Sequence, residues 1–257
     1  QSNPISLVHF VTNRCNARCS FCFIDFDNPE TFANELTTDE INKLTKNLGP
    51  NLQNVNITGG EPFARKDINQ IVSNYYNNTE IKSIFITTNG SLPDRIKKLC
   101  ELKMTSYSDR KLLFQISIDE MPEEHDKIRK ISGLFENAYE SYLIANNCGE
   151  NIQASVALTI SHENHDNIDT IYEHLTRDLK VKRIALNVVR DEGVYKIPLD
   201  QKQRILQAYE KISAKIYSDT NLGILEQWDE NNILGRLMNR KNQIWQEILP
   251  EIYLEPK

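Results

Sequence analysis

The chain reads as an α/β protein, a partial (βα)6 TIM-like barrel followed by C-terminal helices. Two observations predict this. Short runs of branched and apolar residues alternate with stretches of helical periodicity, six times over. Turn residues and unusual polar residues gather where the strand runs end, on what would become one rim of a sheet. Alternating strands and helices bury their apolar faces best as a parallel sheet with helices outside, joined by right-handed crossovers. Six units fall short of the eight that close a barrel. In a partial barrel or an open sheet alike, the ligand site is expected at the C-terminal ends of the strands.

The elements follow in order. Ile5 to Thr12 is a strand rich in branched and aromatic residues, with a cysteine-bearing loop directly after it. Thr37 and Glu40 have the spacing of a capping box, opening a helix with Ile41, Leu44 and Leu48 on one face and Gly49-Pro50 at its end. Val55 to Thr58 is a strand that ends on Gly59-Gly60, and Asp67 to Tyr76 a helix. Ile84 to Thr88 is a strand that ends on Asn89-Gly90, and Pro93 to Leu102 a helix with proline in its first turn. Leu112 to Ile118 is a strand and Phe135 to Ala145 a helix. Ile152 to Ile160 is a strand and Asn164 to Leu175 a helix. Arg183 to Val189 is the sixth strand and Gln201 to Ala214 the helix after it. From about residue 200 helical signals dominate, and Trp228 to Leu249 mixes apolar with basic residues. The expected division is a core over 1–195 and a helical extension over 196–257 that packs on it.

With 257 residues, 39% of them hydrophobic, the chain can bury a sizeable core. No run of about 18 apolar residues suggests a transmembrane helix, and the N-terminus lacks a basic-then-apolar signal pattern. A net charge of −6 argues against nucleic acid as a partner. Five cysteines, three of them clustered, do not resemble a secreted disulfide framework, so a cytoplasmic location is expected. Cys100 and Cys148 fall in helical stretches and read as small core residues.

Cys15, Cys19 and Cys22 are spaced C-x-x-x-C-x-x-C. An odd number of close cysteines makes a poor disulfide set. Three thiolates can hold a cubane [4Fe–4S] cluster and leave one iron without a protein ligand, whereas such clusters normally take four. An open iron can coordinate a small molecule. The competing reading is zinc, with His9 as a fourth ligand, but structural zinc wants four ligands and His9 lies inside the first strand.

Gly59-Gly60-Glu61-Pro62 suits a strand-to-helix turn. The two glycines would also let backbone approach a ligand, and the carboxylate could receive an ammonium. Ser117 and Asp119 alternate onto one face at the end of the fourth strand. Together with the cysteine motif, in which Phe21 precedes the last cysteine, this pattern resembles the radical S-adenosylmethionine (radical SAM) superfamily over roughly residues 5 to 195. The core is similar to the SPASM/twitch-type subgroup but lacks that subgroup's auxiliary-cluster cysteines, since no cysteine follows Cys148.

The resemblance implies an enzyme with two cofactors, a [4Fe–4S] cluster on Cys15, Cys19 and Cys22 and S-adenosylmethionine chelating the open iron. One electron from the cluster would cleave S-adenosylmethionine to methionine and a 5′-deoxyadenosyl radical, which takes a hydrogen atom from substrate. It implies cofactor contacts at Gly59, Gly60 and Glu61 (the amino group), at Ser117 and Asp119 (ribose or carboxylate), and at Arg129 (carboxylate), because guanidinium forks match carboxylates. Phe21, Asn89 and Asn187 are further contacts it implies. Glu120 stands where the common form has glycine. The implied partners are a peptide, sugar or lipid substrate and a reductant such as flavodoxin or ferredoxin. Readings from other classes are an iron–sulfur electron carrier and a catalytically silent scaffold. Glu61 speaks against the first, because a carrier needs no amino-group receptor.

Overall fold

The computed structural model describes residues 4–219. The helices expected over Trp228 to Leu249 lie outside the described residues. The strands are Ser6–Thr12 (β1), Asn54–Gly59 (β2), Ser83–Thr88 (β3), Lys111–Ser117 (β4), Ile152–Ile160 (β5) and Ile184–Val188 (β6). They form one sheet in the order β1-β2-β3-β4-β5-β6, the sequential, all-parallel topology of a partial TIM-like barrel. The helices are Thr38–Lys46 (α1), Ile68–Asn78 (α2), Pro93–Ser106 (α3), Pro122–Arg129 (α4), Leu134–Asn147 (α5), Ile168–Glu173 (α6) and Leu199–Ser218 (α7).

The chain divides into two compact units. The first joins the described residues up to Ser20 with Ile24–Ala157, and the second joins Phe21–Phe23 with the described residues from Leu158 onward.

In the first unit, side-chain alternation sorts the strands into two faces. Val55, Ile57, Ile84, Ile86, Leu112, Phe114 and Ile116 are all buried at 1% exposure or less, as are Ile71 and Tyr75 of α2 and Ile96 and Leu99 of α3. Each such side chain contributes about 1.5–3 kcal/mol by leaving water. The alternate residues, Asn56, Thr58, Phe85, Thr87, Leu113, Gln115 and Ser117, are half-buried. Parallel sheets usually cover both faces, and their strands then read as unbroken apolar runs. Here the second face mixes polar and apolar residues and is partly open. Its Thr87 hydroxyl lies 3.4 Å from Asn56 Oδ1 and 3.3 Å from Gln115 Oε1.

The capping box is formed as expected. Glu40 N–H donates to Thr37 Oγ1 and Thr37 N–H to Glu40 Oε2. Two features differ from the sequence reading. Helix α4 was not expected, because its eight residues carry no apolar stripe; it buries His125, Ile128 and Arg129. Helix α6 begins at Ile168 instead of Asn164. The Asn164 amide folds back on its own segment, accepting from Ser161 N–H at 2.8 Å and donating to Thr159 O at 2.9 Å. Such local side-chain bonding competes with helix formation.

In the second unit, α6 and α7 are pinned by Lys215 with Asp169 (3.3 Å) and by the Tyr172 hydroxyl donating to Asp219 (3.0 Å). Val189 N–H donates to Ile160 O at 2.9 Å, tying the exit of β6 to that of β5.

Candidate functional site

The cysteine loop leaves β1 at a slip in its pairing with β2, so that Thr12 faces Gly59. The strand end of β2 then presses directly on the loop. Gly60 N–H donates to Thr12 O (2.7 Å) and Glu61 N–H to Arg14 O (2.8 Å), one residue before Cys15. A Cβ on Gly59 would lie 2.0 Å from Thr12 O, and one on Gly60 2.3 Å from Arg14 O. Gly59 also has φ +144°, a conformation that side chains disfavour. The glycine pair is therefore required by backbone-to-backbone approach.

Two further elements grip the loop. After β3, the Asn89 amide donates to Asn16 Oδ1 (2.9 Å) and lies 3.9 Å from Cys15 Sγ, while Asn16 donates to Ser91 Oγ (2.8 Å). At the C-terminal end of α4, Arg129 O accepts from Arg18 N–H (3.1 Å) and Ile128 O from Ser20 N–H (3.2 Å). Arg18 in turn lies over the Phe26 ring, 4.1 Å from its centre, and donates to Cys15 O. Ala17 N–H points at Cys15 Sγ, 3.3 Å away.

Glu61 is completely buried. Oε1 accepts from Phe63 N–H (2.9 Å) and the Thr88 hydroxyl (2.7 Å), and Oε2 from Asn89 N–H (2.7 Å). The carboxylate thus staples the turn after β2 to the turn after β3. Burial pushes its pKa up, opposed by the Asn89, Phe63 and Thr88 donors and by the charge of Arg129. A carboxylate offers about four acceptor positions, and these three donors fill all but one.

Asp119 and Arg129 form a buried ion pair. Arg129 Nε donates to Asp119 Oδ2 at 3.0 Å and Nη2 to the same oxygen at 2.5 Å, with side chains 8% and 1% exposed. Burial works against the guanidinium's charge, but Asp119, then Cys19 and Cys15, more than restore it. The Cys19 thiol is pushed up by burial, with Arg129 pulling the other way. Ser117 is half-buried on the open face, whereas Asp119, two residues on, turns to Arg129. Glu120 is buried and accepts from Met121 N–H at 2.8 Å, at the start of α4.

The structure thus brings Cys15, Cys19, Gly59, Gly60, Glu61, Asn89, Asp119 and Arg129 into one network within the first unit. Phe21, Cys22 and Asn187 belong to the second unit, and each is half-buried. There Asn187 follows Ala185 along β6, and Arg190 lies 5.2 Å from the centre of the Phe23 ring and 2.9 Å from Glu192. Cys100 is buried on α3, where burial and the neighbouring Cys148 thiol raise its pKa.

Sequence reasoning missed Asn16, Arg65 and the carbonyl end of α4. Arg65 holds Asp67 with two bonds (2.8 and 2.6 Å) and donates to Val11 O and Leu36 O, fixing the turn after Pro62 against β1. This pair holds the Asp67 carboxyl down, to about 2. Nothing in the spacing of Arg65 signals these partners. The place of Asn16 between two cysteines was the one available hint.

A half-buried histidine, His9, and a buried one, His125, flank this network, and both set a pH dependence. Burial, then Arg65, lowers His9 to about 4. Burial, then Arg129, lowers His125 to about 4, against the pull of Asp119 and Asp126. The unfolded chain takes up these protons as the pH falls below 6.5, while the folded chain resists until about 4. Stability present above pH 6.5 is therefore lost between 6.5 and 4, by an order of 2–3 kcal/mol per histidine. Urea midpoints measured across that range will fall with pH. His125→Phe will flatten the slope; an unchanged slope would show that His125 titrates normally.

Comparison with known proteins places this arrangement. The pattern that defines the Radical SAM superfamily matches residues 10–175. The chain belongs to that superfamily, whose members bind a [4Fe–4S] cluster and S-adenosylmethionine. A GTP 3′,8-cyclase of Cronobacter sakazakii (strain ATCC BAA-894) is 27% identical over 190 residues, covering 68% of this chain and 53% of that protein. Among solved structures, native anSMEcpe with bound AdoMet superposes with a TM-score of 0.61 at 15% identity (84% of this chain, 62% of that one). Streptococcus suis SuiB bound to precursor peptide SuiA gives 0.63 at 17% (84% and 46%), and methylornithine synthase (PylB) 0.56 at 17% (80% and 62%). The chain thus spans about half to three fifths of the length of these relatives.

The residues of the first unit fit the cofactor pair by their chemistry. Cys15 and Cys19 are not joined in disulfides, amide donors point at Cys15, and the charge of Arg129 acts on both. Among the described residues no three His, Cys, Asp or Glu side chains converge as a site for one metal ion. Each cysteine of a cubane binds a different iron, so such a cluster requires no convergence on a single point. His9, the fourth ligand of the zinc reading, is engaged with the Tyr75 hydroxyl at 2.8 Å. No helix among the described residues is long and apolar enough to cross a membrane.

Proposed function

We propose that this chain is a radical SAM enzyme whose Cys15, Cys19 and Cys22 hold the [4Fe–4S] cluster. The observation that carries the reading is the three-sided anchoring of the cysteine loop by the Gly-Gly-Glu turn, Asn89 and α4, within a chain that belongs to this superfamily. When bound, the cluster supplies the electron that cleaves S-adenosylmethionine to methionine and a 5′-deoxyadenosyl radical. The chain's own residues bind and orient. Backbone at Gly59 and Gly60 and the remaining acceptor position of Glu61 receive the amino group. Arg129, held by Asp119, faces the carboxylate, and Ser117 and Asn89 contact the sugar side. For Phe21, Cys22 and Asn187 the reading rests on the motif and the family alone.

A peptide side chain comes first as substrate, before a sugar or lipid. Two neighbours that share the fold, anSMEcpe and SuiB, are known as peptide complexes. Along β1–β4 the half-open face mixes neutral amides and hydroxyls (Asn56, Thr58, Thr87, Gln115, Ser117) with Val8, Phe10, Phe85 and Leu113, and its one basic residue, Lys111, lies at the N-terminal end of β4. A nucleoside triphosphate like the GTP of the cyclase relative would need several cations. The electron comes from a reductant such as flavodoxin or ferredoxin, and an oxygen-sensitive cluster suits a reducing cytoplasm.

The test is anaerobic. Protein reconstituted with iron and sulfide is reduced with dithionite, given S-adenosylmethionine and assayed for 5′-deoxyadenosine by mass spectrometry. Product is expected. It will vanish in Cys15→Ala, Cys19→Ala and Cys22→Ala and persist in Cys100→Ala and Cys148→Ala. No product from a protein with an intact cluster would favour an electron carrier or a silent scaffold. Loss of the cluster in Cys148→Ala would overturn the ligand assignment.

A further inference from the structure

The mechanism above uses Arg129 as a contact for the cofactor's carboxylate. Its surroundings suit a second task. The guanidinium is buried, and both of its bonds to Asp119 go to the same oxygen. Its own backbone carbonyl, and that of Ile128, hold the N–H groups of Arg18 and Ser20 on either side of Cys19. One short helix therefore fixes both the loop and a buried positive charge. A charge at such a place is poorly screened by water or salt.

We propose that the buried Asp119–Arg129 pair sets the reduction potential of the cluster held by the cysteine loop, with α4 carrying the charge against Cys15 and Cys19 and Asp119 acting as a positioning residue through Arg129. This rests on the cluster assignment made above. Reduction adds one negative charge to the cluster and its thiolates, and a fixed cation alongside favours that state. Net charge and nearby hydrogen bonds are among the factors that set iron–sulfur potentials.

The signs follow from the charge each substitution removes. Arg129→Gln removes the cation and will make the cluster harder to reduce. Asp119→Asn leaves the cation unopposed and will make it easier. Each change is expected to alter the reduced-to-oxidised ratio at fixed poise by about tenfold, equivalent to ~59 mV for a one-electron couple. Arg129→Lys keeps the charge but loses the fork, so its potential will lie between those of the wild type and Arg129→Gln.

The experiment is a potentiometric titration of the reconstituted full chain without S-adenosylmethionine, followed by the electron paramagnetic resonance signal of the reduced cluster. Iron and sulfide content are measured on the same samples. Opposite shifts in Arg129→Gln and Asp119→Asn, at unchanged iron content, support the proposal; a purely structural role would not split their signs. Equal potentials, or shifts of the same sign, overturn it. A wild-type protein that takes up no iron would instead sink the cluster assignment itself. Should Arg129→Gln fail to fold, Asp119→Asn and Arg129→Lys still decide by the direction of their shifts.

Discussion

Replacing Glu61 by alanine will destabilise the protein by about 3–5 kcal/mol, because three buried donors lose their acceptor at once. The donors are Phe63 N–H, Asn89 N–H and the Thr88 hydroxyl. Two of these are backbone groups that cannot turn elsewhere. The loss is a large share of the 5–15 kcal/mol typical of a folded domain. Glutamine gives a graded result. Its oxygen can keep the two bonds made by Oε1, while its NH2 replaces Oε2 and faces Asn89 N–H, donor against donor. Glu61→Gln will therefore cost about 1–3 kcal/mol, the penalty of one orphaned group. Urea unfolding of the metal-free protein measures both without involving the cluster. A Glu61→Ala protein within 0.5 kcal/mol of wild type, the usual range for an ordinary surface change, would show that the staple is not formed.

The second large effect is expected at Gly60. Its Cβ would meet Arg14 O at 2.3 Å, Arg14 C at 2.6 Å and Asn13 O at 2.7 Å. All three are backbone atoms, so no side chain can swing aside. The turn after β2 must separate from the loop, which strains or breaks the Gly60–Thr12 and Glu61–Arg14 hydrogen bonds. Two lost backbone bonds and the overpacking strain together come to about 3–5 kcal/mol. Because Cys15 follows Arg14, Gly60→Ala will also lower the iron bound per chain after reconstitution. Gly133→Ala is the control. Gly133 has φ +70°, but its Cβ would meet nothing within 4 Å. It will cost only the ~1–2 kcal/mol of a left-handed residue and leave iron uptake intact. Equal iron content in Gly60→Ala and wild type would remove the glycine turn from the construction of the loop.

Much of this fold was legible because its elements announce themselves by period. Ile84 and Ile86 alternate with Phe85 and Thr87, and the box at Thr37 and Glu40 marks the start of α1. The Gly-Gly pair was legible as a place of close approach. What it approaches was not, because the contact joins residues 12–14 to 59–61 through the parallel pairing of β1 with β2, and a sequence does not state its pairings. Helix α4 was hidden for a different reason. Its buried side chains are a histidine, an isoleucine and an arginine, so it lacks the apolar stripe by which helices are recognised. Asp119 and Arg129 were each legible as candidates. That they are partners, buried against the loop, depends on how α4 folds back, and spacing alone gives no sign of it.

The three-sided hold on residues 12–20 also bears on when the loop acquires its shape. Many small metal-binding segments stay unstructured until the metal arrives, so that binding must supply the free energy of folding. Here Thr12 and Arg14, Asn16, and Arg18 and Ser20 each find a partner in protein that lies outside the loop. These bonds to the rest of the first unit offset part of the chain entropy lost in ordering the loop. Ordering in advance leaves more of the binding free energy to appear as affinity. A cluster bound here as proposed would dock on a segment already held by protein contacts.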